Sequence, residues 1–347
     1  MVLFFHAFAL TMQNAKWSGL PRTVELATRF GWAGVDLFFV LSGFLITGIL
    51  LDSAGKPHYF RNFYARRALR ILPLYYLTLV FIAVFYKGSL DFVGVSAIYL
   101  SNVSPIFGIA ASYSTLWSLS VEEHFYLIWP WLVARLTPRR IWMFAAAIFL
   151  AEPFIRGIGF LYGADVYSYT WFRLDGLAAG ALLASFVRSR WYSKERLYEL
   201  GLFCVGIAVI VAAVSPPYHT LVGDALLFTF STLLFTGLLS VVLSAAVPPL
   251  GRSMQSRWLR KCGEWSYFLY LAHPFFFHEW DQVFGVYPAL VVNELGRLGA
   301  LCIRAVAVFA ICFILAELSR RYFEGPLLRL KRLFAYSQTT NTRPAQA

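Results

Sequence analysis

Apolar residues in this 347-residue chain come mostly in long, nearly unbroken runs, not in the alternation that marks half-buried strands or the one-sided stripe of a surface helix. A helix needs about 20 such residues to cross the hydrocarbon core of a bilayer. The runs predict spans near 1–12, 32–51, 71–87, 117–135, 141–160, 170–187, 199–214, 222–249, 264–285 and 296–319, ten in all. The first is short and is expected to be cut at Met1. A further apolar stretch, 92–110, contains Asn102, Pro105 and Gly108 and reads as a re-entrant or surface segment. Pro73 is expected at the start of the third span, where a helix tolerates proline.

Composition agrees with the pattern. The chain is 59% hydrophobic with mean hydropathy +0.63, and charged residues make up 14%, against about 25% in soluble domains. No soluble interior accommodates so much apolar side chain, so the fold class is all-α, a polytopic membrane protein. One transmembrane domain is expected over 1–330, followed by a basic tail over 331–347, disordered from Ser337. Cys204, Cys262, Cys302 and Cys312 lie in or beside apolar runs without CxxC or Cys/His spacing, so neither a disulfide framework nor a zinc site is indicated.

Charge placement orients the bundle. With the N-terminus inside, the inner segments 52–70, 135–140, 188–198, 250–263 and 320 onward hold 22 Lys and Arg, whereas the outer loops hold Lys16, Arg22 and Arg29. The positive-inside rule therefore places the basic loops and the C-terminus in the cytoplasm. The net charge of +12 is then a face lying against anionic membrane lipid, and calls for no nucleic acid.

Ionisable groups at membrane depth need another account, because each costs about 2.5–3.5 kcal/mol at the bilayer centre on insertion scales. Asp36, Glu122, Glu123, Glu152, Arg156, Arg173, Asp175, Arg304, His6, His124 and His273 all fall in or near predicted spans. Ion pairing between helices is one explanation and a polar chamber is the other. In "GVDLFFVLSGFLIT", Asp36 stands upstream of Ser42, with Gly43, and Gly48 just after the stretch, allowing close helix packing. In "YARRALRILPLYYL", Arg67 and Arg70 are three apart and share a helix face. Two guanidiniums at a membrane mouth suit a phosphorylated ligand. In "WSLSVEEHFYL", Ser118 and Glu122 share a face, while Glu122 and Glu123 point apart. In "CGEWSYFLYLAHPF", Ser266, Tyr270 and His273 form one polar stripe on an apolar helix.

These pieces, with "VLFFH" and "FRLDGLAAGALLA", run in order over residues 1 to about 330, and the chain resembles the acyltransferase family 3 integral membrane proteins. That family O-acylates sugars and other bacterial surface molecules and has a ten-helix core. The resemblance implies a bacterial inner-membrane enzyme moving an acyl group, most often acetyl, from acyl-CoA to a hydroxyl of a glycan or lipid-linked sugar. His6 matches the histidine of the family's first motif, whose arginine would fall five residues before Met1. Arg67 and Arg70 match its Arg-x-x-Arg motif.

The expected chemistry follows. An imidazole, with an ordinary pKa near 6.5, takes the acceptor's proton. His6 is the candidate base, and Asp36 or Glu122, with Glu123 beside it, would orient the ring as in a catalytic triad. Arg67 and Arg70 would hold coenzyme A phosphates. Ser42, Ser118, Arg173, Asp175, Ser266, Tyr270 and His273 are further chamber candidates, His273 as a second base or a structural group. A membrane transporter, or a binding protein of the same fold, is the alternative reading; a transporter should show inverted repeats or paired broken helices, and the sequence shows neither.

Overall fold

The computed structural model describes residues 1–13, 16–215, 220–247, 253–287 and 293–336. The described residues form helices and connecting turns. They are α1 Val2–Met12, α2 Gly19–Arg29, α3 Gly34–Ser53, α4 Tyr59–Phe85, α5 Leu90–Ala97, α6 Leu116–Arg135, α7 Pro138–Leu161, α8 Leu174–Val187, α9 Lys194–Val214, α10 Leu221–Ser244, α11 Arg257–Phe284 and α12 Glu294–Ser319. Five helices open on a side-chain cap: Thr137, Ser193, Thr220, Ser256 and Asn293 each accept a backbone N–H of the first turn, satisfying donors that have no partner within the helix.

The protein is an all-α polytopic membrane protein. Six helical runs are long and apolar enough to cross a membrane by length and composition: Gly19–Ser53, Tyr59–Phe85, Pro138–Leu161, Lys194–Val214, Leu221–Ser244 and Glu294–Phe334. The other four expected spans are also helical, but α1 and α8 are short, and α6 and α11 carry the polar motifs. Large apolar side chains such as Phe154, Val306 and Ile314 stand exposed on the outer helix faces, the surface that lipid covers. The 92–110 stretch forms the eight-residue α5 and the 3₁₀ turn Ser101–Phe107. At 1.5 Å per residue α5 is about 12 Å long, too short to cross.

Three differences from the sequence reading have physical causes. Pro73 sits inside α4, not at its start; the helix continues through it because flanking helices hold α4 in place, as neighbours do for prolines within membrane helices. The loop expected over 13–31 contains α2, whose polar and apolar residues alternate with helical period, so it has no long apolar run to betray it. At the other end, helical turns continue through Phe334, past the expected domain boundary at 330. They pack on α4, where Asn62 donates to the Ala335 carbonyl and Arg66 lies over the Tyr336 ring. The tail from Ser337 lies outside the described residues.

Packing divides into two main apolar clusters. One joins α3, α4, α6 and α8, including Phe39, Ile46, Tyr75, Leu119, Tyr126 and Leu177. The other joins α1, α11 and α12, including Ala7, Met12, Leu269, Phe277, Leu301 and Val308. Helix α11 belongs to both, through Leu271 on one side and Leu269 and Phe277 on the other. The contact of α3 with α8 is made by glycine: a Cβ on Gly43 would lie 2.0 Å from the Leu177 carbonyl oxygen, and one on Gly180 2.2 Å from that of Val40. Bare backbones approach there as small residues allow in membranes.

Candidate active site

His6 lies in the π-helical turn Phe5–Ala9 within α1, a distortion that is frequent at functional sites. Its Nδ1 is 2.8 Å from Nε2 of His273 on α11. His273 is fully buried, and its own Nδ1 is 2.8 Å from the Leu269 carbonyl oxygen. A carbonyl only accepts, so His273 Nδ1 carries the hydrogen. In the neutral ring Nε2 is then the acceptor, and His6 Nδ1 donates to it. That leaves His6 Nε2 with its lone pair, the form a general base requires. The turn is pinned beside His6: Arg304 donates to the Ala7 carbonyl oxygen at 3.4 Å, is held by Asp281 through bonds of 2.7 and 2.6 Å, and lies 4.3 Å from the Phe277 ring centroid.

A polar track leads away from the histidines. Tyr270, on the same helix, is hydrogen-bonded to Ser118 at 2.5 Å. One turn along α6 from Ser118, on the same face, stands Glu122, 4% exposed. Ser42 donates to Glu122 Oε1 at 2.5 Å, and the Tyr126 hydroxyl donates to the same oxygen. The Arg67 guanidinium lies 4.7 Å from the Tyr126 ring centroid. Arg67 is half-buried and Arg70 exposed. Among the described residues, neither forms an ion pair with a carboxylate, so both keep donors for an anionic ligand. Glu123 points elsewhere, as its spacing requires, and its Oε1 is buried without a hydrogen-bond partner among the described residues.

The remaining charges form a buried network at the N-terminal end of α8. Arg173 pairs with Asp36, which also accepts from Ser231 at 2.5 Å. Arg156 pairs with Asp175 at 2.9 Å and stands 3.6 Å from Glu152. It also donates to the Ala225 and Phe172 carbonyls and to Thr229. Glu152 accepts the Leu174 backbone N–H at 3.0 Å. Arg173 stacks 3.7 Å from the Phe228 centroid and 5.2 Å from that of Trp117. The network ties α3, α7, α8 and α10 together, although Glu152 Oε2 and the Nε and Nη1 of Arg173 are buried without a hydrogen-bond partner among the described residues, and it accounts for most of the ion-pairing expectation.

The structure thus sorts the residues that the sequence put forward. His6 and His273 meet, as do Ser42 and Glu122, Ser118 and Tyr270, and Asp36 and Arg173. Neither Asp36 nor Glu122 reaches His6: Asp36 is held by Arg173 and Ser231, Glu122 by Ser42 and Tyr126, and the group that meets the His6 ring is His273. Ser266 leaves the polar stripe, because it sits two turns toward the exposed end of α11, where its hydroxyl bonds the Gly263 carbonyl. His124 bonds Thr170 at 2.7 Å, tying α6 to the turn before α8. Sequence reasoning missed Tyr126, Ser231, Thr229 and Asp281. Tyr126 alone had a signal, its spacing of four from Glu122.

Comparison with known proteins places this arrangement. The chain is 30% identical over 341 aligned positions to the putative peptidoglycan O-acetyltransferase YrhL of Bacillus subtilis, covering 86% of this chain and 50% of that protein. It is 29% identical over 336 positions to the peptidoglycan O-acetyltransferase OatA of Listeria monocytogenes (86% and 51%) and 26% identical over 351 positions to the O-acetyltransferase OatA of Staphylococcus aureus (86% and 52%). The chain therefore spans about half the length of the curated relatives it matches. No solved structure matches it. The acyltransferase domain profile of family 3 matches residues 1–317, and it is to this acyltransferase family that the chain belongs.

Proposed function

We propose that the protein is a membrane-embedded O-acyltransferase that moves an acetyl group from cytoplasmic acetyl-CoA to a sugar hydroxyl of peptidoglycan or its lipid-linked precursor. The observation that carries this reading is the His6–His273 pair, which leaves one imidazole nitrogen unprotonated in the seam between α1 and α11. The names of the relatives supply the acceptor class. The unpaired guanidiniums of Arg67 and Arg70 supply a seat for the donor's phosphates, with the basic loops in the cytoplasm of the inner membrane.

The chemistry follows from the hydrogen bonds. His6 Nε2 takes the acceptor's hydroxyl proton as the oxygen attacks the thioester carbonyl. The ring becomes an imidazolium, and its positive charge is stabilised through Nδ1–H to His273, whose orientation the Leu269 carbonyl fixes. Collapse of the tetrahedral adduct breaks the carbon–sulfur bond, and His6 returns the proton to the departing thiolate. Ester forms, thiol leaves, and the base is regenerated. Glu122 is held by Ser42 and Tyr126, and the Tyr126 ring lies against the Arg67 guanidinium, so this track reaches from the Ser118–Tyr270 contact to the donor seat.

The test is transfer from radiolabelled acetyl-CoA to soluble peptidoglycan fragments by the purified protein in liposomes, beside donor binding measured as thermal stabilisation. Transfer should occur, and Arg67→Ala should lower the stabilisation by acetyl-CoA. Donor binding with no transfer to any sugar acceptor would overturn the acceptor assignment. Undiminished stabilisation in Arg67→Ala would overturn the donor seat.

A further inference from the structure

A cavity of about 390 Å³ opens between α4, α11 and α12, apart from the track described above. Its walls include Leu74, Phe81, Leu271, Phe275, Leu315 and Phe323. Along α4 it runs from Leu74 to Ile82, about 12 Å of helix. The α11 wall is made by Phe268, Leu271, Ala272, Phe275 and Phe276, one stripe at helical spacing. His273 points about 130° away from the centre of that stripe at 3.6 residues per turn, toward α1. The slot and the histidine pair are therefore on different sides of α11.

The chemistry of the walls selects the occupant. Three polar side chains line the slot, and each has its hydroxyl hydrogen engaged within the protein. Thr78 donates to the Leu74 carbonyl at 2.9 Å, Ser319 to Glu324 at 2.9 Å and Tyr113 to the Leu271 carbonyl at 2.5 Å. The pantetheine arm of coenzyme A carries two amides and would find no ready donor here. A hydrocarbon chain needs none.

One end of the slot is basic. Arg70 lies one turn before Leu74 on the same stripe of α4, and Arg320 follows Ser319 directly. Lys331 lies in the turn Leu330–Phe334, which packs on α4. The only carboxylate near Arg320 at ion-pair distance among the described residues is Glu264, at 3.8 Å. A second concavity, lined by Arg320, Arg321, Arg329 and Arg332, continues this rim. We propose that the slot between α4, α11 and α12 holds one acyl chain of an anionic phospholipid, with the lipid phosphate seated on the rim of Arg320 and Lys331. Basic pockets between membrane helices recognise anionic headgroups in this way. Bound there, the lipid holds α11 against α4 from the side opposite His273, and so supports the seam. The proposal stands apart from the transferase reading.

The experiment is native mass spectrometry of the delipidated protein with phosphatidylglycerol, phosphatidylcholine or palmitoyl-CoA added. Phosphatidylglycerol should be retained in preference to phosphatidylcholine. The double variant R320Q/K331Q should retain about thirtyfold less, from two lost basic contacts. Leu77→Trp, at a half-exposed slot position, should also lose it, with Leu318→Trp as the second slot-filling variant should the first fail to fold. R139Q/R140Q, basic residues at the start of α7, should retain it fully. Equal retention of both phospholipids, unchanged by the rim variants, would overturn the site. Displacement of phosphatidylglycerol by palmitoyl-CoA, with palmitoyl-CoA binding lost in Leu77→Trp, would give the slot to the donor and overturn the lipid assignment.

Discussion

Replacing Gly43 by alanine separates α3 from α8. The added Cβ would lie 2.0 Å from the Leu177 carbonyl oxygen, while ordinary contact begins at 3.4 Å. The difference, about 1.4 Å along that line, cannot be taken up by a rotamer, because the neighbour is backbone on a buried helix. Overpacking of this kind costs about 1–3 kcal/mol. Asp36 lies two turns away on α3, and its partner Arg173 opens α8, so the same displacement pulls on a buried ion pair; breaking such a pair outright costs about 3–5 kcal/mol. The expected loss is therefore about 2–3 kcal/mol, seen as a drop of several degrees in thermal unfolding of the detergent-solubilised protein. Gly206→Ala is the control, since a Cβ there meets nothing within 4 Å and a mid-helix glycine is mildly unfavourable relative to alanine. If Gly43→Ala unfolds at the same temperature as Gly206→Ala, the close α3–α8 crossing is wrong.

Arg156→Gln should lower stability by about 3–5 kcal/mol, because it leaves Asp175 and Glu152 buried without their cation; thermal unfolding within about 1 kcal/mol of wild type would show that the network is not paired as described. Asp281→Asn should loosen Arg304 from the Ala7 carbonyl and lower acetyl transfer more than acetyl-CoA binding, and a fall in binding alone would contradict a role in holding α1. In a chain stripped of its native cysteines, a cysteine at position 18 should react with an impermeant thiol reagent added outside cells, and one at 253 should not; the reverse pattern would invert the topology.

The helical framework was legible because lipid imposes a simple rule. Runs near 20 apolar residues gave α3, α7, α9 and α12 close to their observed places, and α10 with five residues beyond Ser244, of which 248 and 249 lie outside the described residues. Helix α2 escaped because it is amphipathic, and α8 was read four residues too long because Thr170–Phe172 is apolar enough to pass for its first turn. The candidate site was legible as a set of residue types and not as a set of pairs. Glu122 and Ser42 are 80 positions apart, Asp36 and Arg173 137, and His6 and His273 267. Spacing within one helix reports which residues share a face, and nothing in it reports which face of another helix they meet. That is why a carboxylate was expected beside His6 and a second imidazole was found, and why Ser231 and Asp281, each one of several polar residues on α10 and α11, gave no warning of their partners.

The reading turns on His6 as base and His273 as the group that positions it. The direct measurement is acetyl transfer by His6→Ala, His273→Leu and His273→Gln, with acetyl-CoA binding measured on the same preparations. Loss of a general base costs about 100- to 10,000-fold in rate, so His6→Ala should lose transfer on that scale and keep its donor binding. His273→Leu should lower kcat with little change in KM, and His273→Gln, whose amide oxygen can still accept from His6 Nδ1, should recover part of that loss. Near-wild-type transfer by His6→Ala, or equal activity of His273→Leu and His273→Gln, would contradict the account.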